Sequence, residues 1–163
     1  MVSLLLLLVM TMIGVTAVQV TSLEEKMAGN TRDRNLAFQA AEAALRVGEN
    51  AIAAAVAVDA NGQLTGMGIA TFEALFNGAT TGYYAAGTVP GDLLTGDTQS
   101  WGGDNVVSAN VDLASVAAPP KYVIEKLNSA DAKQHPFRIT SYATGGTDSA
   151  VVVLQSTYRI DEP

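Results

Sequence analysis

The first 23 residues, Met1 to Leu23, carry no formally charged side chain, and helix-forming sequence continues past them without a break. At ~1.5 Å per residue this apolar stretch makes a helix of roughly 34 Å, slightly longer than the ~30 Å hydrocarbon layer of a bilayer. Its polar members are Ser3, Thr11, Thr16, Gln19, Thr21 and Ser22. A hydroxyl in an apolar helix bonds to a carbonyl one turn back, so these residues cost little in lipid. A cleaved secretory signal is the competing reading, with Leu4 to Val9 as its apolar core and an exit near Ala17. It lacks a basic leading region and an A-x-A site. A signal peptide also ends in a cleavage loop, whereas here the first proline is Pro90.

From Glu24 to Val58 alanine-rich helix formers take over. Leu36, Ala40 and Ala44, with Ala37, Ala41, Leu45, Ile52 and Val56, recur at helical spacing and define one apolar face. Glu42 precedes Arg46 by four residues, the favourable order for a helix pair, and Gly29 and Gly48 are the weak points. Asp59-Ala60-Asn61-Gly62 supplies turn chemistry. The pattern predicts one helix from residue 1 to about 57, roughly 85 Å long. Residues 1–23 form its apolar half, long enough to span a membrane, 24–58 an amphipathic half, and 59–163 a globular head with a long loop region over 63–118. Such a head is only ~26 Å across, so a rod this long needs copies of itself or relatives.

The formal net charge is −7, and residues 51–163 hold 11 acids against 5 bases. An acidic head repels phosphate, which argues against nucleic-acid binding through a basic patch. With no cysteine there is no disulfide frame and no thiolate metal site. Just beyond the apolar stretch, Glu24, Glu25, Lys26, Arg32, Asp33 and Arg34 form a mixed-sign belt. It is either a solvated helix face or a set of inter-subunit pairs worth ~0–1 kcal/mol each.

In the head, Ile69 to Phe76 reads as a short helix. Thr80 to Asn110 reads as a long surface excursion whose Tyr83, Tyr84 and Trp101 either contact a partner or, as a head with few aromatics favours, serve its core. Tyr122–Leu127, Phe137–Ala143 and Ala150–Ile160 are strand candidates, bounded by Asn128-Ser129, His135-Pro136 and Gly145-Gly146-Thr147-Asp148. In the last, Val152, Leu154, Tyr158 and Ile160 share one side, interrupted by Ser156, and should pack on the helix. The expected fold class is α+β, a long N-terminal helix with a C-terminal antiparallel β-sheet head.

Chemistry is sparse. His135 is the sole histidine and precedes Pro136 in an expected turn. There is no nucleophile elbow and no phosphate loop. Asp59-Ala60-Asn61-Gly62 starts like a calcium loop but lacks its later ligands. Asp92, Asp97, Asp104 and Asn105 would offer a calcium site if their loop folds back on itself. No catalytic residue, cofactor or metal is expected, and the reading is not that of an enzyme.

The segment Leu23-Glu24-Glu25-Lys26-Met27-Ala28-Gly29-Asn30-Thr31-Arg32-Asp33-Arg34-Asn35-Leu36-Ala37-Phe38-Gln39-Ala40-Ala41-Glu42-Ala43-Ala44-Leu45-Arg46 closely resembles the N-terminal helix of PilX-type minor pilins of type IV pili. The likeness extends upstream through Val2 to Val9 and returns in Pro120 to Glu125 and Ala150 to Tyr158. The resemblance implies a type IV pilin-like fold and a bitopic inner-membrane subunit. That subunit is processed and methylated at its N-terminus, expected at Met1, and then drawn into an extracellular filament by the pilus assembly machinery. The partners implied are other pilin subunits. Minor pilins of this type prime assembly or occupy the tip; a major repeating subunit and a membrane-tethered binding module are the alternatives. Leu4, Leu5, Leu6, Leu7, Leu8, Val9, Ile13 and Gly14 are the expected filament-core positions, since neighbouring helices can replace lipid around them at little apolar cost. Around Gly14 to Gln19 the helix is expected either to loosen in the filament or to admit a close neighbour.

Two departures bear on this. The resemblance implies a glutamate at the fifth mature position to neutralise a neighbour's amine; counted from Met1, that position is Leu5. A subunit without this carboxylate suits the tip. The resemblance also implies a basic leader ending in glycine, so either Met1 is the processed start or the count shifts and Leu5 loses that meaning. N-terminal mass analysis separates the two, a methylated Met1 fixing the register.

Overall fold

The computed structural model describes residues 2–57, 66–111, 113, 115–131 and 133–161. Unbroken helix formers carry α1 from Val2 to Ala55, 54 residues. At the end of the helix Gly66 N–H donates to the Ala57 carbonyl at 3.0 Å and Gly68 N–H to that of Ala55 at 2.9 Å, satisfying terminal carbonyls. Met1, where processing is expected, and Val58 with the expected Asp59–Gly62 turn lie outside the described residues. The outer half of α1 buries Ala37, Ala40, Ala41, Ala44, Gly48, Ile52 and Ala55, all on one flank. Leu36, Leu45 and Val56 are only half-buried at its margins. Small residues let the sheet approach closely. At Gly48 a Cβ would lie 2.8 Å from Ile139 Cγ2 and 3.2 Å from Tyr122 Cδ2, so the glycine that weakens the helix is what seats the sheet on it.

The remaining elements are α2 (Ile69–Glu73), continued by a 3₁₀ turn over Ala74–Phe76, β1 (Tyr83–Tyr84), α3 (Gly91–Thr95), α4 (Thr98–Trp101), β2 (Val107–Ser108), β3 (Lys121–Lys126), β4 (Gln134–Thr144) and β5 (Val151–Asp161). They form a five-stranded sheet in the order β1-β3-β4-β5, with β2 sharing β1's edge of β3. The β3–β4 and β4–β5 pairings are antiparallel, as expected, whereas β1 adds parallel to β3 because the long connection between them permits a crossover. The β4–β5 hairpin lies lengthwise along α1. Gly145 touches Asp33 and Ile139 faces Gly48; that step is roughly 22 Å along the helix and roughly 20 Å along the strand. On the α1 side of β5, Val152 and Leu154 pack near Ala40 and Ala41, Tyr158 and Ile160 join the main core, and the interrupting Ser156 donates to Glu49 Oε1 at 2.9 Å.

Two expectations are corrected. The span from Thr80 to Asn110, expected as a surface excursion, supplies β1, α3, α4 and β2 and builds a second core on the sheet face away from α1. There Trp101, 1 % exposed, stacks on Tyr142 with ring centroids 5.1 Å apart and donates its indole N–H to the Leu93 carbonyl at 2.9 Å. The expected core role of its aromatics holds fully for Trp101, while Tyr83 and Tyr84 are half-buried. His135 and Pro136 stand inside β4 rather than in a turn. Proline is tolerated because its carbonyl accepts from Leu127 N–H, so its nitrogen faces the end of β3 where the ladder stops.

Candidate assembly surface and collar

The inner half of α1 is uncovered. Leu4 to Leu8 are each 59–72 % exposed, and Val9, Met10, Met12, Ile13, Val15, Val18, Val20 and Leu23 continue the apolar surface around every side of the helix. Each such side chain gains about 1.5–3 kcal/mol on leaving water, so this surface belongs in lipid or against other helices. The segment is long and apolar enough to cross a membrane. Its threonine hydroxyls are satisfied internally: Thr11 donates to the Leu8 carbonyl at 2.8 Å, Thr16 to Met12 at 2.8 Å and Thr21 to Ala17 at 3.1 Å. The helix is regular through Gly14 to Gln19, and a Cβ at Gly14 would meet nothing within 4 Å, leaving an open face for a neighbour.

The charged belt divides by helical geometry. At 100° per residue, Lys26 and Asp33 lie on the flank shared with Ala37, Ala40 and Ala44, Arg34 at its edge, and Glu24, Glu25 and Arg32 on the opposite side. Asp33 is committed within the chain. Its carboxylate accepts from the Thr147 hydroxyl, from Thr147 N–H at 3.2 Å and from Gly146 N–H, pinning the β4–β5 turn to the rod. Among the described residues, the other belt members make no ion pair. The sequence gives no local sign of this collar, because Asp33 and Thr147 are 114 residues apart.

The Thr147 hydroxyl, with the two N–H groups, holds the Asp33 carboxyl below its ordinary value of 3.8. A depressed carboxylate contributes to stability above the unfolded value, and that contribution fades as pH falls through the folded one. Amide exchange at Gly146 and Thr147, corrected for intrinsic rate, is therefore expected to quicken below pH 3.8. In Asp33→Asn exchange should already be fast at neutral pH, with no acid step; an acid step retained in the variant would assign the effect elsewhere.

Other polar groups in the head brace it. Glu73 bridges Lys126 Nζ at 2.8 Å and His135 Nδ1 at 2.7 Å, tying α2 to the sheet's end. Burial pushes its carboxyl up, yet these partners outweigh burial and hold it below the ordinary range. Asp97 caps α4, accepting from Ser100 N–H at 3.1 Å, and the Asn105 carbonyl accepts from the Tyr84 hydroxyl at 2.9 Å. Asp92, Asp97 and Asp104 do not gather; among the described residues no three histidine, cysteine, aspartate or glutamate side chains form a metal-holding group.

Residues 1–46 match the PilX N-terminal family model, and residues 73–160 match that of the type IV pilus assembly protein PilX, C-terminal part. This chain belongs to the PilX family. Among curated proteins and solved structures, nothing matches it significantly. The PilX N-terminal match takes in the exposed apolar helix, the belt and the start of the buried flank. The PilX C-terminal match opens at Glu73 and closes at Ile160, spanning the second core and the β3–β4–β5 sheet. The protein is thus a pilin-like component of type IV pili, a structural family, and it associates with other pilus components.

Proposed function

We propose that this PilX chain is a minor pilin that promotes filament assembly or sits at the tip, joining other pilin subunits through its N-terminal helix. The observation that carries the reading is the uncovered apolar helix over residues 2–23, gripped by its own head only from Asp33 outward. Leu4, Leu5, Leu6, Leu7, Leu8, Val9, Ile13 and Gly14 are its packing positions. Before extraction by the assembly machinery the same surface is held in the inner membrane as a bitopic segment, with the head outside the cytoplasm. Glu24, Glu25, Lys26, Arg32 and Arg34 choose register with neighbours by several weak pairs.

The chain has no cysteine, so single cysteines at Leu8 and Ile13 give background-free crosslinks. Crosslinks to other first helices in sheared pili, at substoichiometric abundance, are expected. Near-equimolar abundance would make the chain the repeating subunit, and a purely monomeric protein absent from pili would overturn the proposal. Arg32→Glu with Arg34→Glu is expected to reduce incorporation several-fold at unchanged melting temperature; full incorporation would assign the belt to solvent.

A further inference from the structure

The exposed apolar surface of α1 does not stop with the uncharged segment. Beyond Leu23, the large apolar side chains that α1 leaves exposed are Met27, at 60 %, and Phe38, at 49 %. At 100° per residue the two point in directions about 20° apart, roughly a quarter-turn round the helix from the flank that buries Ala37, Ala44 and Gly48. The same line runs back along the inner half, where Val9, Met12, Ile13, Thr16, Ala17 and Val20 line an open apolar groove. Thr31, on this line between Met27 and Phe38, donates its hydroxyl to the Met27 carbonyl at 2.9 Å and so asks no polar partner of a neighbour. Of the charged belt only Arg34 falls close to the line, and it lines a pocket with Ser149 and Val151 at the β4–β5 turn. The result is one straight apolar stripe of roughly 44 Å from Val9 to Phe38.

What covers its outer end is constrained. Phe38 stands roughly 22 Å beyond Leu23, and the uncharged segment already matches the ~30 Å hydrocarbon layer, so lipid does not reach it. The head leaves half of Phe38 exposed. The chain between Ala57 and Gly66 leaves and rejoins the top of the rod; eight residues out and back reach at most about 16 Å, whereas Phe38 lies roughly 28 Å below Ala57. A stripe at helical spacing fits a helix laid alongside it. At equal height a second copy would bring its own Arg34 to the same seam, which like charge disfavours. An uncharged helix reaches Phe38 only if its subunit stands further out along the axis.

We propose that this stripe seats the uncharged root of another pilin subunit displaced outward by at least about 22 Å, so that this chain has a neighbour on its tip side and is not the outermost subunit. The inference rests on the reading of the chain as a filament subunit and narrows it to a place beneath the very end.

The test places the photo-crosslinking residue p-benzoylphenylalanine at Phe38 of the full chain in piliated cells, with the same residue at Leu8 as reference. The Phe38 product is expected to map to the uncharged first-helix segment of another pilin subunit. In cells that make no filaments it should fall at least tenfold, because rods anchored in one membrane stand at equal height. Phe38→Asp is expected to lower incorporation into sheared pili at least fivefold at unchanged melting temperature, and Phe38→Leu to restore it. Gln39→Asp, exposed on another face of the rod, should leave incorporation unchanged. Crosslinks from Phe38 to lipid, to a neighbour's head, to its own chain or to the equal-height position of a second copy would overturn the proposal. So would Phe38→Asp incorporating as fully as Gln39→Asp. Loss of the Phe38 product alone would sink the outward displacement and leave assembly through the helix standing, whereas loss of the Leu8 product as well would remove both.

Discussion

Replacing Arg138 with methionine is expected to cost the head about 3 kcal/mol and to lower its melting temperature by roughly 10 °C. Glu125, on β3, is 2 % exposed. Its carboxylate accepts from Arg138 Nε at 2.8 Å and from a second guanidinium nitrogen, and its other oxygen from Gly87 N–H at 2.7 Å. The pair itself is not the source of the cost; halving it is, because a buried carboxylate then has only one neutral donor. Glu125→Gln together with Arg138→Met should recover most of the loss, since an amide can still accept from Gly87 without carrying charge. Thermal melts of the four members of this cycle check the claim. Equal losses in the single and double variants would show that the charge is not what matters.

Gly145→Val should cost about 2 kcal/mol and release the turn from the rod. A Cβ at Gly145 would overlap the Asp33 backbone carbonyl and its carboxylate, and neither atom set sits at the loose end of a long side chain. The expected result is loss of amide protection at Gly146 and Thr147 while the ladder near Ile139 and Ser156 stays protected. Gly91→Ala is the control, because a Cβ there meets nothing within 4 Å. If both substitutions melt alike, the collar is not a close-packed joint.

The rod, the three long strands and the helix-facing side of β5 are legible in the sequence because each rests on local periodicity: uncharged or alanine-rich runs for α1, period two for Val152, Leu154, Tyr158 and Ile160. Features that depend on distant partners are not. Gly48 looks like a defect in a helix until Ile139 is seen against it. The second core needs Trp101 to find Tyr142 across 40 intervening residues, and no spacing rule announces that. His135-Pro136 carries turn chemistry, yet Pro136 sits at the last rung against β3, where its missing N–H forgoes only one terminal bond. In the proposed assembly surface, the exposed apolar run from Leu4 to Leu8 is legible from composition alone. In the belt, nothing in the neighbourhood of Asp33 distinguishes it from Arg32 or Arg34; only the fold brings Thr147 to it.

The lengthwise seating of the hairpin has a mechanical consequence. Traction applied to the rod while the head is held loads the alanine-lined seam in shear, so the contacts from Asp33 to Ala55 share the force rather than yielding one after another. A sheet laid crosswise would peel from one end. A subunit pulled by its root while its head is engaged therefore keeps the two together for as long as the whole seam holds.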